Sequence, residues 1–171
     1  SDVYKRQGRP SCTGLSTSCN GESCCLSPTV SGCNGCNFPD GHTATIAPFQ
    51  LDKYEVTVGR FRSFATAYAG PPASGAGAHP QIPGSGWQSA WSAMLPASSG
   101  ALSASLQSRI TQTDCNGEGL WTAAPGPNED KPMNCIDWYE AFAFCIWDGG
   151  FLPTEMEWQF APPAASWATC I

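Results

Sequence analysis

Residues 137–161 read DWYEAFAFCIWDGGFLPTEMEWQFA, and the role of the acids in this stretch decides what kind of chain carries it. Asp137 and Glu140 stand three apart ahead of an apolar run. At that spacing the first side chain accepts a backbone N–H of the opening turn and the second reaches back to the cap. Thr154 and Glu157 repeat the device after Pro153. Two helices are predicted. In the first, Tyr139, Phe142 and Ile146 share one stripe and Trp138, Ala141 and Cys145 its neighbour, until Gly149 and Gly150 close it in the left-handed conformation that glycine tolerates. Glu155 and Glu157 lie about 200° apart around a helix, so they do not converge on one substrate atom as a general-acid pair must. The acids read as structural caps, and no catalytic, cofactor-binding or metal-ligating residue is assigned. A carboxylate-based glycoside hydrolase needs a facing pair and is set aside.

Working upstream, Met133–Ile136 reads as a short strand entry. Thr45–Ala47 and Phe49–Val56 read as short strands broken by Pro48. Thr57 then stands as an N-cap before Val58, Phe61, Phe64, Ala65 and Tyr68, which recur at helical spacing until Gly70. Between these parts runs a long Ala, Ser, Gly and Pro-rich excursion, residues 71–132. Trp87, Trp91 and Leu95 fall at steps of four within it, as do Leu102, Leu106 and Ile110, which predicts two short helices. The Trp pair reads as packing more readily than as a ligand platform. His42 and His79 sit in loop sequence and read as solvated.

The segment at 8–43 holds Cys12, Cys19, Cys24, Cys25, Cys33 and Cys36 and almost nothing apolar, so disulfides must staple it into a small extracellular cap or stalk. A zinc site is the alternative, since Cys33-Asn34-Gly35-Cys36 has ligand spacing with His42 nearby. Cys115, Cys135 and Cys145 complete the candidate disulfide cysteines. The chain has ten cysteines in all, 171 residues and a formal net charge of -6. Such cysteine use favours export, and the scattered basic residues disfavour nucleic acid. No apolar run reaches the roughly 20 residues of a membrane helix. Residues 1–7 match a sequencing-adapter scar, and no leader is visible.

At this point FQLDKYEVTVGRF (residues 49–61) and KPMNCIDWYEAFAFCIWDGGFLPTEMEWQFA (residues 131–161) resemble the sulfatase-modifying factor, or formylglycine-generating enzyme, domain. The resemblance runs over 44–161. It implies an irregular, loop-rich α+β fold of C-type-lectin-like character. It also implies an oxidase that converts a sulfatase cysteine to formylglycine with dioxygen and a copper ion held by two cysteines, although related members use iron or have no known catalysis.

Phe151 departs from the family's usual Arg and Met156 from its usual Ala. After Ala161 the sequence PPAASWATCI leaves the pattern, so 162–171 reads as a frame slip or fragment end. The redox cysteines lie in the family's second half, for which nothing here matches, and Cys145 aligns with a cysteine whose disulfide partner also lies downstream and is expected to lack it. With that half absent, Phe142 and Ile146 are expected to stay exposed. The reading is therefore a secreted, N-terminal part of a formylglycine-generating-enzyme-like protein, inactive as given, with no cofactor in this chain and copper reserved for the full-length protein. The alternative is a non-catalytic extracellular recognition module. Partners in either case are a protein or peptide substrate or an extracellular ligand.

Overall fold

The computed structural model describes residues 9–14, 18–110, 115 and 117–161; the scar-like residues 1–7, the tail 162–171 and its Cys170 lie outside them. Short antiparallel pairs make up the strand content. β1 (Ser18–Cys19) pairs with β2 (Glu22–Ser23), β3 (Thr29–Val30) with β6 (Phe49–Gln50), and β4 (Cys33–Asn37) with β5 (Thr43–Ile46). Helices follow: α1 (Val58–Ala67), a 3-10 helix at Ser89–Met94, α2 (Ser99–Arg109), α3 (Trp138–Trp147) and α4 (Glu155–Phe160). The result is a mixed helix and strand fold with small sheets and much irregular chain.

Each helix start has a local cause. Thr57 accepts the Arg60 N–H through its side chain, while the next orphan donors of that turn, the N–H groups of Val58 and Gly59, go to the carbonyls of Lys131 and Glu129, both at 2.9 Å. The segment at 129–133 thus runs against the open end of α1 and satisfies donors that would otherwise need water. α3 closes with Gly149 at φ 81°. The Gly150 N–H reaches the Cys145 carbonyl at 2.8 Å and the Gly149 N–H that of Ile146 at 3.1 Å, the paired bonds of a Schellman turn.

One core joins α1, α2, α3 and the excursion. Phe61 and Phe64 of α1 meet Phe144 of α3 at centroid distances of 5.5 and 5.8 Å, and Leu102 and Leu106 of α2 are buried on the same core. Trp87 is fully buried and meets Phe142 at 5.8 Å. A second cluster, Phe38, Ile46, Phe49 and Leu51, takes Phe151, Met156 and Phe160 against it. The two family departures therefore sit in apolar packing, where neither side chain leaves a polar group stranded.

Several expectations need correction. The strand expected over 49–56 ends at Gln50, because Leu51 and Asp52 turn inward and are buried. No strand covers 133–136; Cys135 takes φ 60° and bonds to Cys115, a conformation a pleated strand does not admit. The boundary drawn at 43/44 lies within β5, which pairs with β4, and Arg9 is buried against Asp52 and Asp148. Phe142 is 3% exposed rather than open, because the excursion lies over it. Disulfides link Cys12–Cys25, Cys19–Cys24, Cys33–Cys36 and Cys115–Cys135. Cys145 is disulfide-bonded as well, against the expectation that it lacks a partner.

Candidate functional site

The late acids go to four separate places. Glu140 accepts the Asp137 N–H at 3.0 Å while Asp137 accepts the Glu140 N–H at 2.8 Å, and Arg109 of α2 donates to both Glu140 oxygens at 2.5 and 2.8 Å. Glu157 and Thr154 make the same reciprocal cap, at 2.8 and 3.2 Å. Glu155 is exposed and accepts from Gln159 one turn on. Asp148 ends α3 and points inward. Replacing Asp137 or Thr154 by Ala is expected to cost about 1 kcal/mol each, read as a shift in the urea midpoint without a change in slope.

His79 is not solvated. Its Nδ1 accepts the Gln81 N–H at 3.1 Å, which places the proton on Nε2, and Nε2 donates to Glu157 Oε1 at 2.9 Å. The ring meets Phe151 edge-on at 4.9 Å. Excursion and last helix are thereby tied together. His42, by contrast, is exposed beside Asp40.

The most heavily charged interior holds Arg9, Arg60, Asp52 and Asp148, each no more than 5% exposed. Arg60 donates to Asp52 Oδ2 at 2.9 Å, to Asp148 Oδ2 at 3.0 Å, to Ser11 Oγ at 3.1 Å and to the Cys24 carbonyl at 3.3 Å. Arg9 pairs with Asp52 and lies 2.6 Å from Asp148; Ser27 also donates to Asp52. The Ser11 N–H caps the group on Asp148 at 2.9 Å. Two cations face two anions, so the cluster is neutral as a whole, and most remaining lone pairs have donors, the condition under which buried charge is tolerated. A carboxylate at a helix C-terminus opposes the helix dipole; two guanidiniums offset that here.

Electrostatics separates these acids. Burial is the largest influence on Asp52 and raises its pKa, but the charges of Arg60 and Arg9, with the Ser27 bond, outweigh it and leave the carboxyl below its ordinary value of 3.8. Its stabilising contribution is therefore present above that value and is lost as pH falls through the lower folded one. Glu140 runs the other way: burial raises it, and the Arg109 and Asp137 bonds restore only part of that. Tyr68, whose hydroxyl donates to the Pro96 carbonyl at 2.7 Å, is pushed up to about 12 by burial and then by the Glu140 charge. Acid titration followed by circular dichroism is expected to show stability falling steeply below the ordinary Asp value of 3.8, with a shallower slope in Asp52→Asn.

Open space lies elsewhere. A cleft of about 200 Å³ is lined by Ile82, His79, Ser85, Trp138, Leu152 and Thr154 among others. Trp138 is half exposed there and rests edge-on against Trp91 at 5.1 Å. A second cleft, about 370 Å³, runs past Asn20, Lys53, Tyr54 and Asp130, and Glu22 accepts from both Lys53 (2.5 Å) and Tyr54 (2.6 Å) near it.

The copper ion that the resemblance implies requires two free soft ligands. Among the described residues no cysteine is free, Cys33 and Cys36 are bonded to each other, and no group of three or more His, Cys, Asp or Glu could hold an ion. The described residues do not fit it. Sequence reasoning missed Arg9, Asp52 and Arg60 as a unit, and the only local signal was the presence of these charges beside apolar neighbours in a chain with few charges.

Comparisons bear on this arrangement. Among curated proteins, the chain is similar to the "Inactive C-alpha-formylglycine-generating enzyme 2" of Mus musculus, 36% identical over 50 residues that are 26% of this chain and 16% of that protein. It is similar to the "Formylglycine-generating enzyme" of Bos taurus, 36% identical over 47 residues, 24% of this chain and 13% of that one. The chain therefore matches only a small part of either relative's length. No solved structure matches. The description "Sulfatase-modifying factor enzyme 1-like domain" matches residues 27–168, and on that coverage the chain belongs to the sulfatase-modifying factor enzyme 1-like domain family.

Proposed function

We propose that this chain supplies scaffold for a formylglycine-generating-enzyme-like protein that works outside the cytosol on a protein or peptide partner, and that the described residues do not themselves convert a cysteine to formylglycine. The observation that carries the reading is where the reactive groups are spent. Asp137, Glu140 and Glu157 close helix ends, Asp148 neutralises arginines, and the described cysteines are disulfide-bonded rather than free to hold copper. The pairing also supports an oxidising compartment, and the loop-rich mixture of short strands and helices supports a C-type-lectin-like arrangement. Among the described residues no helix is long and apolar enough to cross a membrane.

The test is direct. Incubating the whole chain with a cysteine peptide, copper and dioxygen is expected to leave the cysteine unconverted by mass spectrometry; formylglycine in the peptide overturns the reading. A recognition role is the second reading, favoured by Trp138, a half-exposed indole at the start of α3 that lines a cleft and so offers an apolar face with a polar N–H to a ligand. Capture of a peptide or glycan that Trp138→Ala loses, with the melting temperature unchanged, separates recognition from scaffolding alone.

A further inference from the structure

The Cys33–Cys36 disulfide differs from its neighbours in place and in purpose. Cys24 and Cys25, the inner ends of two other pairs, are 1% and 8% exposed, whereas Cys33 and Cys36 of β4 both lie partly open, as Cys115 and Cys135 also do. Their sequence separation is 3, against 5 for Cys19–Cys24, 13 for Cys12–Cys25 and 20 for Cys115–Cys135. A cross-link restrains the unfolded chain less as the ring it closes shortens, and this ring encloses only Asn34 and Gly35. The hairpin does not depend on it. Cys33 pairs with Ile46 and Cys36 with Ala44 across the ladder, Thr45 donates to the Asn34 side chain at 2.9 Å, and Gly35, at φ 69°, sits in the irregularity of that ladder between the two cysteines. Phe38, Ile46, Phe49 and Leu51 anchor the hairpin from beneath. The two sulfurs therefore remain neighbours whether or not they are bonded.

We propose that Cys33–Cys36 is a thiol–disulfide exchange site that takes two electrons from a dithiol and can return them. The incoming thiolate attacks one sulfur of the pair, the S–S bond breaks, and the departing thiolate is protonated by water. The second thiol of the donor then attacks the mixed disulfide. The donor leaves as its own disulfide, and Cys33 and Cys36 remain as two thiols. Exposed disulfides in small rings are the ones such chemistry reaches first. The proposal goes beyond the scaffold reading and stands whether or not that reading holds.

The experiment equilibrates the whole chain with graded dithiothreitol, traps free thiols with an alkylating agent, and maps the label by peptide mass spectrometry. Cys33 and Cys36 are expected to label together at a dithiol concentration about tenfold below that which opens any other pair. Earlier or equal opening of Cys19–Cys24 or Cys115–Cys135 overturns the proposal. The double variant Cys33→Ser with Cys36→Ser is expected to melt within about 2 °C of the parent; a much larger drop makes the bond a staple and overturns it. The reduced parent, unlike the double variant, is expected to reduce added hydroxyethyl disulfide, and failure to do so refutes exchange.

Discussion

Exchanging Arg60 for leucine is expected to lower folding stability by about 3 to 5 kcal/mol. The guanidinium is fully buried on α1 and donates to Asp52, Asp148, Ser11 and the Cys24 carbonyl. Its removal leaves two interior carboxylates with Arg9 alone as counter-charge, and an uncompensated buried charge costs far more than a solvated one. Leucine fills much of the stem volume, so the loss reports charge rather than a void. The control is Arg60→Leu combined with Asp52→Asn, which takes out one charge of each sign and is expected to recover part of the loss. Denaturant unfolding of the four proteins gives the coupling directly. An Arg60→Leu protein as stable as the parent would falsify the view that this cluster holds the leading segment, α1 and α3 together.

The second large effect is Trp87→Ala, expected to cost about 3 to 5 kcal/mol and to lower the melting temperature by about 10 °C in a domain of this size. Trp87 is fully buried although it lies in the excursion. Its ring meets Trp91 at 5.7 Å and Phe142 at 5.8 Å, and its Nε1 donates to Ser92 Oγ at 3.2 Å. Its own N–H and carbonyl bond to the Ala76 carbonyl and the Gly75 N–H, at 2.8 and 2.7 Å. Gly77 lies close enough to Phe142 that a Cβ there would stand 3.0 Å from the ring, so the excursion is laid directly onto α3. Truncating Trp87 empties the middle of that contact. Rising fluorescence of an apolar dye on the variant, at a temperature where the parent binds none, is the second readout.

What could be read from the residues depended on distance along the chain. Asp137 with Glu140 and Thr154 with Glu157 are contacts across three residues, so their spacing is visible in the letters themselves. The same holds for Phe61, Phe64 and Ala65 on α1, and for Leu102 and Leu106 on α2, where the helical period dictates which side chains share a face. Asp52 is the opposite case. Its neighbours Tyr54 and Val56 have strand propensity, and nothing local reveals that its carboxylate is claimed by Arg9, 43 residues upstream. His79 and Glu157 are 78 residues apart, and the histidine looks like any loop residue until the two are seen together. The exposure expected of Phe142 followed from thinking of the core as belonging to ordered motifs only. A glycine- and alanine-rich excursion can cover an aromatic face because small residues let the backbone approach closely.

The bond between Cys12 and Cys25 has a practical consequence for anyone handling the protein. A protease nicking the chain anywhere inside that ring cuts one backbone link but leaves the sulfur bridge, and Arg9 keeps its seat between Asp52 and Asp148. The clipped material would run as one band on a non-reducing gel and split only when a reductant is added. Its melting curve would hardly differ from that of intact protein, so digestion experiments scored by folding alone would overlook the cut.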